Sequence, residues 1–175
     1  MRVEIQDDFN LRKIVESGQC FRASLIDDDI YRFVTGNNVV YMKETEKGIF
    51  SVSCGFNEWQ NTWVKYFDLN RNYRNIFEKE YGKHPFVDKA MNAGRGLRIL
   101  WQDPWEILVS TIISQRKSIP AIQKAVDLIA KKYGTVQKTE YEKLNLFPSA
   151  TDLINVSEDD MRSCGVGYRA AYILD

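Results

Sequence analysis

The run WQDPWEILVSTIISQRKS, Trp101 to Ser118, decides how the second half of the chain folds. Asp103 can cap a helix, Pro104 suits the first helical position, and Glu106 can reach back to complete a capping box. Trp105, Leu108, Val109, Ile112 and Ile113 then fall at i, i+3, i+4, i+7 and i+8, the spacing of a wide buried helix face. Polar residues follow, Ser114-Gln115-Arg116-Lys117-Ser118, and a second stripe opens at once with Ile119, Ile122, Val126, Ile129 and Tyr133, closed by Gly134. The polar run is therefore a junction between two buried helices, with Ser118 placed to cap the second.

Upstream, the period is that of strands. Val3 and Ile5 alternate with polar residues. Phe9–Glu16 puts Leu11, Ile14 and Val15 on one helical face, with Gly18 just beyond as a C-cap. Strand-like runs then cover Cys20–Ile26, Ile30–Val34, Val39–Lys43 and Ile49–Cys54. They are broken at Asp27-Asp28-Asp29, Gly36-Asn37-Asn38 and Glu46-Lys47-Gly48, residues suited to tight reversals. Connections this short force antiparallel pairing, a meander. Helical spacing returns with Trp59, Trp63, Val64 and Phe67, then Tyr73, Ile76, Phe77 and Tyr81, closed by Gly82. His84-Pro85 reads as a break. The expectation is an α+β chain: an antiparallel sheet domain over 1–85 and an all-helical domain over 86–175.

Bulk composition narrows the function. The 175 residues suit one ordinary domain or two small ones, and 44% hydrophobic with 13% aromatic content supplies ample core. Net charge is +0, so any nucleic-acid binding must use local basic charge. Cys20, Cys54 and Cys164 lie far apart with no CxxC pair, as free thiols in a reducing compartment do. The opening MRVEIQDD lacks the apolar core of a signal peptide, and no apolar run is long enough for a bilayer, so a cytoplasmic protein with no membrane partner is expected. No Walker loop, GxGxxG or HExxH occurs, and His84 is the sole histidine, beside a proline. Glu158-Asp159-Asp160 after Ser157 reads as a stabilised helix start rather than a metal site. No cofactor or metal is expected.

Three stretches remain as candidate sites. At the helix junction, N–H groups of the second helix with Arg116 and Lys117 suit a phosphate or DNA backbone; a solvated connection is the other reading. In Ser17-Gly18-Gln19-Cys20-Phe21-Arg22 a glycine ends a helix and hands into a strand, where bare backbone can approach a ligand or merely cap the helix. Cys164-Gly165-Val166-Gly167-Tyr168-Arg169 reads as a phosphate-gripping hairpin, a plain turn, or a helix start presenting a planar wedge and a bidentate donor to DNA. The hairpin pattern usually has Pro before its first Gly and a basic residue soon after its second; Cys164 and Tyr168 stand there.

Taken in order, SGQCFR, WQDPWEILVSTIISQ and RSCGVGYRAAYI resemble the 8-oxoguanine DNA glycosylases of the helix-hairpin-helix–GPD superfamily, from about Phe9 to Asp175. The resemblance implies a TATA-binding-protein-like sheet domain followed by the first helices of the catalytic domain. It implies base-excision repair: the damaged purine is extruded from duplex DNA, a lysine amine attacks the sugar carbon, and an aspartate assists. Gly18 matches the glycine that accepts a hydrogen bond from N7 of the oxidised base. Gln115, Arg116, Lys117, Tyr168 and Arg169 match the groups around the vacated space and the orphaned cytosine. The position of Arg116 is usually an asparagine, and QRKS is nearer the alkylated-purine glycosylases, so a 3-methyladenine-type enzyme is the neighbouring alternative. A non-enzymatic DNA- or protein-binding module is the rival from another class. In the resembling family the hairpin, lysine and aspartate follow the GxGYRA helix. The expectation is thus a chain truncated before its catalytic residues, inactive alone, partnered with lesion-containing duplex in its parent, nucleoid-associated, and prone to self-associate around Tyr172, Ile173 and Leu174.

Overall fold

Residues at alternate strand positions fill the core on one face of the sheet. In β3 (Ile30–Thr35) Tyr31 and Phe33 turn inward, in β4 (Asn38–Glu46) Val40 and Met42, and in β5 (Ile49–Val52) Phe50 and Val52. With β1 (Arg2–Glu4) and β2 (Ser24–Asp27) they form a five-stranded sheet of order β1-β5-β4-β3-β2. The four later strands are the expected meander, and β1 pairs antiparallel on β5 with Val3 opposite Phe50. The structure, a computed structural model, describes all residues from Met1 to Asp175. The chain divides into two compact units, Met1–Phe33 with Asn38–Trp101, and Val34–Asn37 with Gln102–Asp175.

In the first unit, α1 (Leu11–Glu16) lays Leu11 and Ile14 on the core. A helical segment runs from α2 (Phe56–Glu58) through a π-type turn at Trp59–Trp63 into α3 (Val64–Tyr66). Phe67 then sits among Phe9, Phe33 and Tyr66, with ring centroids 5.3, 4.9 and 4.9 Å away, all edge-on. Edge-to-face rings pair positive rims with negative faces, and each pair adds about 0.5–1.5 kcal/mol to the burial. The stripe on α4 (Tyr73–Glu80) is shallower than its spacing implies: Tyr73 and Phe77 are half-buried, Ile76 and Tyr81 exposed. α5 (Pro85–Gly94) follows, with Pro85 at its first position.

The compact division falls beyond the His84-Pro85 break because the segment after α5 is laced to the sheet unit. Asn10 N–H donates to the Gly96 carbonyl at 2.9 Å and Trp101 N–H to that of Tyr66 at 2.8 Å. Lys13 Nζ reaches the Ala93 and Arg95 carbonyls at 2.8 and 2.9 Å, and the Arg98 side chain is fully buried.

The second unit is built on α6 (Pro104–Ser114) and α7 (Ile119–Tyr133). Asp103 caps α6 by accepting from Glu106 N–H at 2.9 Å. Val109 and Ile113 of α6, with Ile122, Val126 and Ile129 of α7, are buried. Leu108 stays exposed and Trp105 and Ile112 half-buried, so the α6 stripe is covered on one side only. Ser118 stands at the α7 N-cap in extended conformation without a side-chain bond to the helix. One expectation fails here. An antiparallel ribbon, β6 (Val136–Lys138) with β7 (Lys143–Asn145), interrupts the half read as all-helical. Its reversal is held by the Thr139 hydroxyl, which accepts from Glu142 N–H at 3.0 Å, and three-residue strands leave too little alternation to read. Two short helices follow, α8 (Ala150–Leu153) and α9 (Glu158–Met161). α9 is capped by Ser157, whose hydroxyl accepts from Asp160 N–H at 3.1 Å, as the acidic run implied. A π-type turn at Arg162–Val166 and a 3-10 turn at Gly167–Arg169 lead into α10 (Ala170–Leu174). No helix is long and apolar enough to cross a membrane.

Candidate nucleic-acid interface

The glycine of the first stretch lies in the first unit. Gly18 has φ of +75°, the left-handed region open to glycine, just past α1. Ser17 closes the helix, its hydroxyl donating to the Ile14 carbonyl at 2.7 Å. Gln19 is then held by its side chain: Nε2 donates to the Arg98 carbonyl at 2.9 Å, and Oε1 accepts from Leu100 N–H at 3.3 Å. Cys20, Arg22 and Ala23 turn inward and are buried, so the chain does not pass directly into a strand; β2 begins only at Ser24. Gly18 itself is half-buried, with its backbone fixed from both sides.

Sequence reasoning passed over the residue that fixes this loop. The Arg98 guanidinium meets Asp7 Oδ2 at 2.9 Å, donates to the Arg71 carbonyl at 3.2 Å and lies 4.3 Å from the centre of the Tyr73 ring. Burial alone would raise the Asp7 carboxyl. The N–H groups of Tyr73, Arg74 and Asp8, and then the Arg98 charge, outweigh it and hold the carboxyl below its ordinary value. GRGLRILW holds two arginines, Arg95 and Arg98, with no periodic signal to tell them apart; only its zero exposure marks Arg98.

The other candidates gather in the second unit. α6 ends at Ser114, and Gln115 and Arg116 are exposed, Arg116 with φ of +53°, unusual for a side chain of that size. Lys117 N–H returns to the Ser114 carbonyl at 3.1 Å, closing the turn. Lys117 is only half-exposed, and its ammonium donates to the Gly165 carbonyl. Partial burial and then the neighbouring Arg169 charge push that ammonium below its ordinary value. From the opposite loop, where Gly165 and Gly167 both have positive φ, Tyr168 projects with 57% of its surface exposed. Arg169 does not project. It is 6% exposed, donates to the Gln115 carbonyl and to that of Val166, and stacks under Tyr168 with Cζ 4.5 Å from the ring centre. Tyr172 meets Tyr168 edge-on at 6.4 Å.

The structure thus brings Gln115, Arg116, Lys117, Tyr168 and Arg169 to one edge. Arg116 and Tyr168 face outward there, and Lys117 and Arg169 are spent on backbone carbonyls. An exposed guanidinium and an exposed aromatic ring on two loops tied to each other suit a nucleic acid, supplying forked donors and a stacking plane. No group of His, Cys, Asp and Glu side chains is arranged to hold a metal ion.

Residues 2–108 match the family model described as 8-oxoguanine DNA glycosylase, N-terminal domain. An N-glycosylase/DNA lyase of Saccharomyces cerevisiae is 27% identical over 183 residues, covering 94% of this chain and 48% of that protein. Among solved structures, MBOgg1 in complex with a low-affinity DNA ligand superimposes with a TM-score of 0.93 at 35% identity, over 99% of this chain and 60% of that one. The Clostridium acetobutylicum 8-oxoguanine glycosylase/lyase, bound to double-stranded DNA with cytosine opposite 8-oxoguanine, gives 0.89 at 33%, over all of this chain and 63% of that one. The chain therefore spans less than two thirds of the length of these relatives. With its sheet unit matched almost from the first residue and its architecture shared throughout, the chain belongs to the 8-oxoguanine DNA glycosylase family.

Proposed function

We propose that this chain is the lesion-reading part of an 8-oxoguanine DNA N-glycosylase/lyase acting in base-excision repair. Residues 1–85 would serve as the family's N-terminal domain, and 86–175 as the opening of its catalytic domain. The observation that carries the reading is the cation–aromatic edge of the second unit, where exposed Arg116 and Tyr168 stand on two loops tied to each other. On this reading Gly18 meets the extruded base, while Tyr168 enters the gap and Arg116 offers its donors to the orphaned cytosine. Oxidised guanine is favoured over alkylated purine because the two Clostridium acetobutylicum structures matched at 33–34% identity carry 8-oxoguanine in their names. Three buried free thiols agree with a reducing, cytoplasmic setting.

We further infer that these 175 residues bind lesion DNA weakly and do not cut it. The lysine at the proposed edge, Lys117, is engaged on a carbonyl, and a net charge of +0 leaves few phosphates neutralised. The test pairs binding with trapping on a damage panel: duplexes bearing 8-oxoguanine opposite cytosine, an alkylated purine, or no lesion. Preferential low-salt binding to the 8-oxoguanine duplex, with no adduct under borohydride, is the expected result. Preference for the alkylated purine would move the chain to the neighbouring specificity, and a trapped adduct would refute the inactivity. Lesion-independent, tight binding would favour a plain DNA-binding module. An apolar groove of about 310 Å³ between α6, α8 and α10, with Leu108, Ile154 and Tyr172 exposed, favours self-association as a second property. Sedimentation giving a concentration-independent monomer would exclude it.

A further inference from the structure

We propose that Gln19 is a positioning residue for the glycine before it: its carboxamide, strung between Ser17 and the segment 98–100, fixes the peptide plane that carries the Gly18 carbonyl. This rests on the reading in which Gly18 meets the extruded base, and adds the residue that aims it.

Glycine cannot aim its own carbonyl. Gly18 sits at φ +75° with no side chain to anchor it, and glycine is the residue whose backbone is least restricted. The neighbouring side chains supply the restraint. Gln19 N–H donates to the Ser17 hydroxyl at 3.3 Å, a turn closed over Gly18, and Gln19 Nε2 reaches the same oxygen at 3.2 Å. That hydroxyl is itself held, since it donates to the Ile14 carbonyl at 2.7 Å. The Gly18–Gln19 peptide is trans, so its carbonyl points opposite to its N–H. With the N–H on Ser17, the Gly18 carbonyl is turned away from that hydroxyl, and it swings only if Gln19 lets go.

The far anchor is firmly held. Gln19 Nε2 donates to the Arg98 carbonyl at 2.9 Å, and Oε1 accepts from Leu100 N–H at 3.3 Å. In an extended chain the carbonyl of one residue and the N–H two residues on face the same edge, so Gln19 binds this segment as a neighbouring strand would. Arg98 and Leu100 are buried while Ile99 and Trp101 are exposed, the alternation of such a chain. Its other edge is taken as well. Ile99 N–H donates to the Tyr73 hydroxyl at 3.1 Å, and Trp101 N–H to the Tyr66 carbonyl at 2.8 Å. Leu100 N–H can only donate and the Arg98 carbonyl only accept, so their partner must offer one acceptor and one donor side by side. A carboxamide does this; a carboxylate lacks the donor, and a thioether of similar length offers only a weak acceptor.

The test uses the 175-residue chain and two independent measurements. The Gln19 backbone N–H lies in the same plane as the Gly18 carbonyl, so its NMR order parameter reports that plane. It should be about 0.85 in wild type and fall below about 0.6 in Gln19→Met, while Ile14, whose N–H is bonded to the Asn10 carbonyl, stays at about 0.85. Affinities are then measured at low salt for 8-oxoguanine and undamaged duplexes of one sequence. Gln19→Met should lower their ratio about fivefold, the worth of one misaligned hydrogen bond, with undamaged-duplex affinity within about twofold of wild type. A side chain that only stabilised the fold would weaken both alike. Ser17→Ala, which removes the other anchor of the same plane, should shift both measurements in the same direction by a smaller amount, and it carries the test if Gln19→Met fails to fold. An unchanged Gln19 order parameter in the folded variants, or an unchanged ratio alongside a mobile plane, would overturn the proposal. If wild type shows no preference for the lesion duplex, the functional reading fails instead, and the order parameter alone decides whether Gln19 holds the plane.

Discussion

Replacing Arg98 with methionine should loosen the segment whose backbone carbonyl holds the Gln19 side chain beside Gly18. The guanidinium is fully buried, and the Asp7 side chain it meets at 2.9 Å is 14% exposed. Removing one partner of a buried pair costs about 3–5 kcal/mol, because the other charge is left behind. Asp7 keeps the N–H groups of Tyr73 at 2.6 Å and Arg74 at 3.0 Å, so its carboxylate is not orphaned and the low end applies. The lost stack on Tyr73 partly restores the figure. The expected cost is about 3 kcal/mol, which at about 2–4 °C per kcal/mol for a chain of this size lowers Tm by about 6–12 °C. Calorimetry at pH 7 reads it. The sign with pH is also set. Asp7 has a folded pKa below its unfolded one, so its contribution is present above the unfolded value and lost as pH falls through the folded one. The gap between wild type and Arg98→Met should therefore narrow as the solution is acidified below about pH 4. Because the Arg98 carbonyl accepts from Gln19 Nε2, exchange of the Gln19 side-chain carboxamide should rise in the variant as the segment carrying that carbonyl loosens. A Tm within about 2 °C of wild type, or a gap that stays constant down to pH 3, would refute this account.

Gly18→Ala puts a Cβ on a residue at φ +75°, a strain of about 1–2 kcal/mol; the chain should fold with a Tm a few degrees lower while losing its preference for the lesion duplex over undamaged DNA, measured by fluorescence anisotropy. Arg116→Ala relieves nothing in the core, so Tm should move by no more than a few degrees while lesion-duplex affinity falls; if the guanidinium meets a phosphate, the log–log salt slope should shrink by about 1. Burial, then the nearby Glu58 charge, pushes the Cys54 thiol up to about 11, and burial likewise raises that of Cys164. Folded protein at pH 8 should therefore react slowly with a thiol-specific disulfide reagent at both sites, and denatured protein at once at all three cysteines.

Local chemistry made the meander, α1, α6 and α7 legible: strand alternation, turn residues between the runs, Asp103-Pro104 at a helix start and a 3.6-residue apolar period each act over a few neighbours. For the same reason SGQCFR, the QRKS junction and GVGYR could be picked out as candidate loops before any packing was known. What the sequence could not contain is burial produced by residues far along the chain. The α6 spacing predicts a wide buried face, yet Leu108 is open, because coverage depends on which elements arrive opposite it. Three-residue strands such as β6 and β7 form by pairing with each other and carry almost no pattern of their own. Arg98 looked like any arginine until the fold laid it against Asp7, ninety-one positions away. Arg169 stands beside Tyr168 in the chain, and only tertiary structure turned one into the core and left the other outside. A side chain's identity says which bonds it can make; the fold decides which partners are within reach.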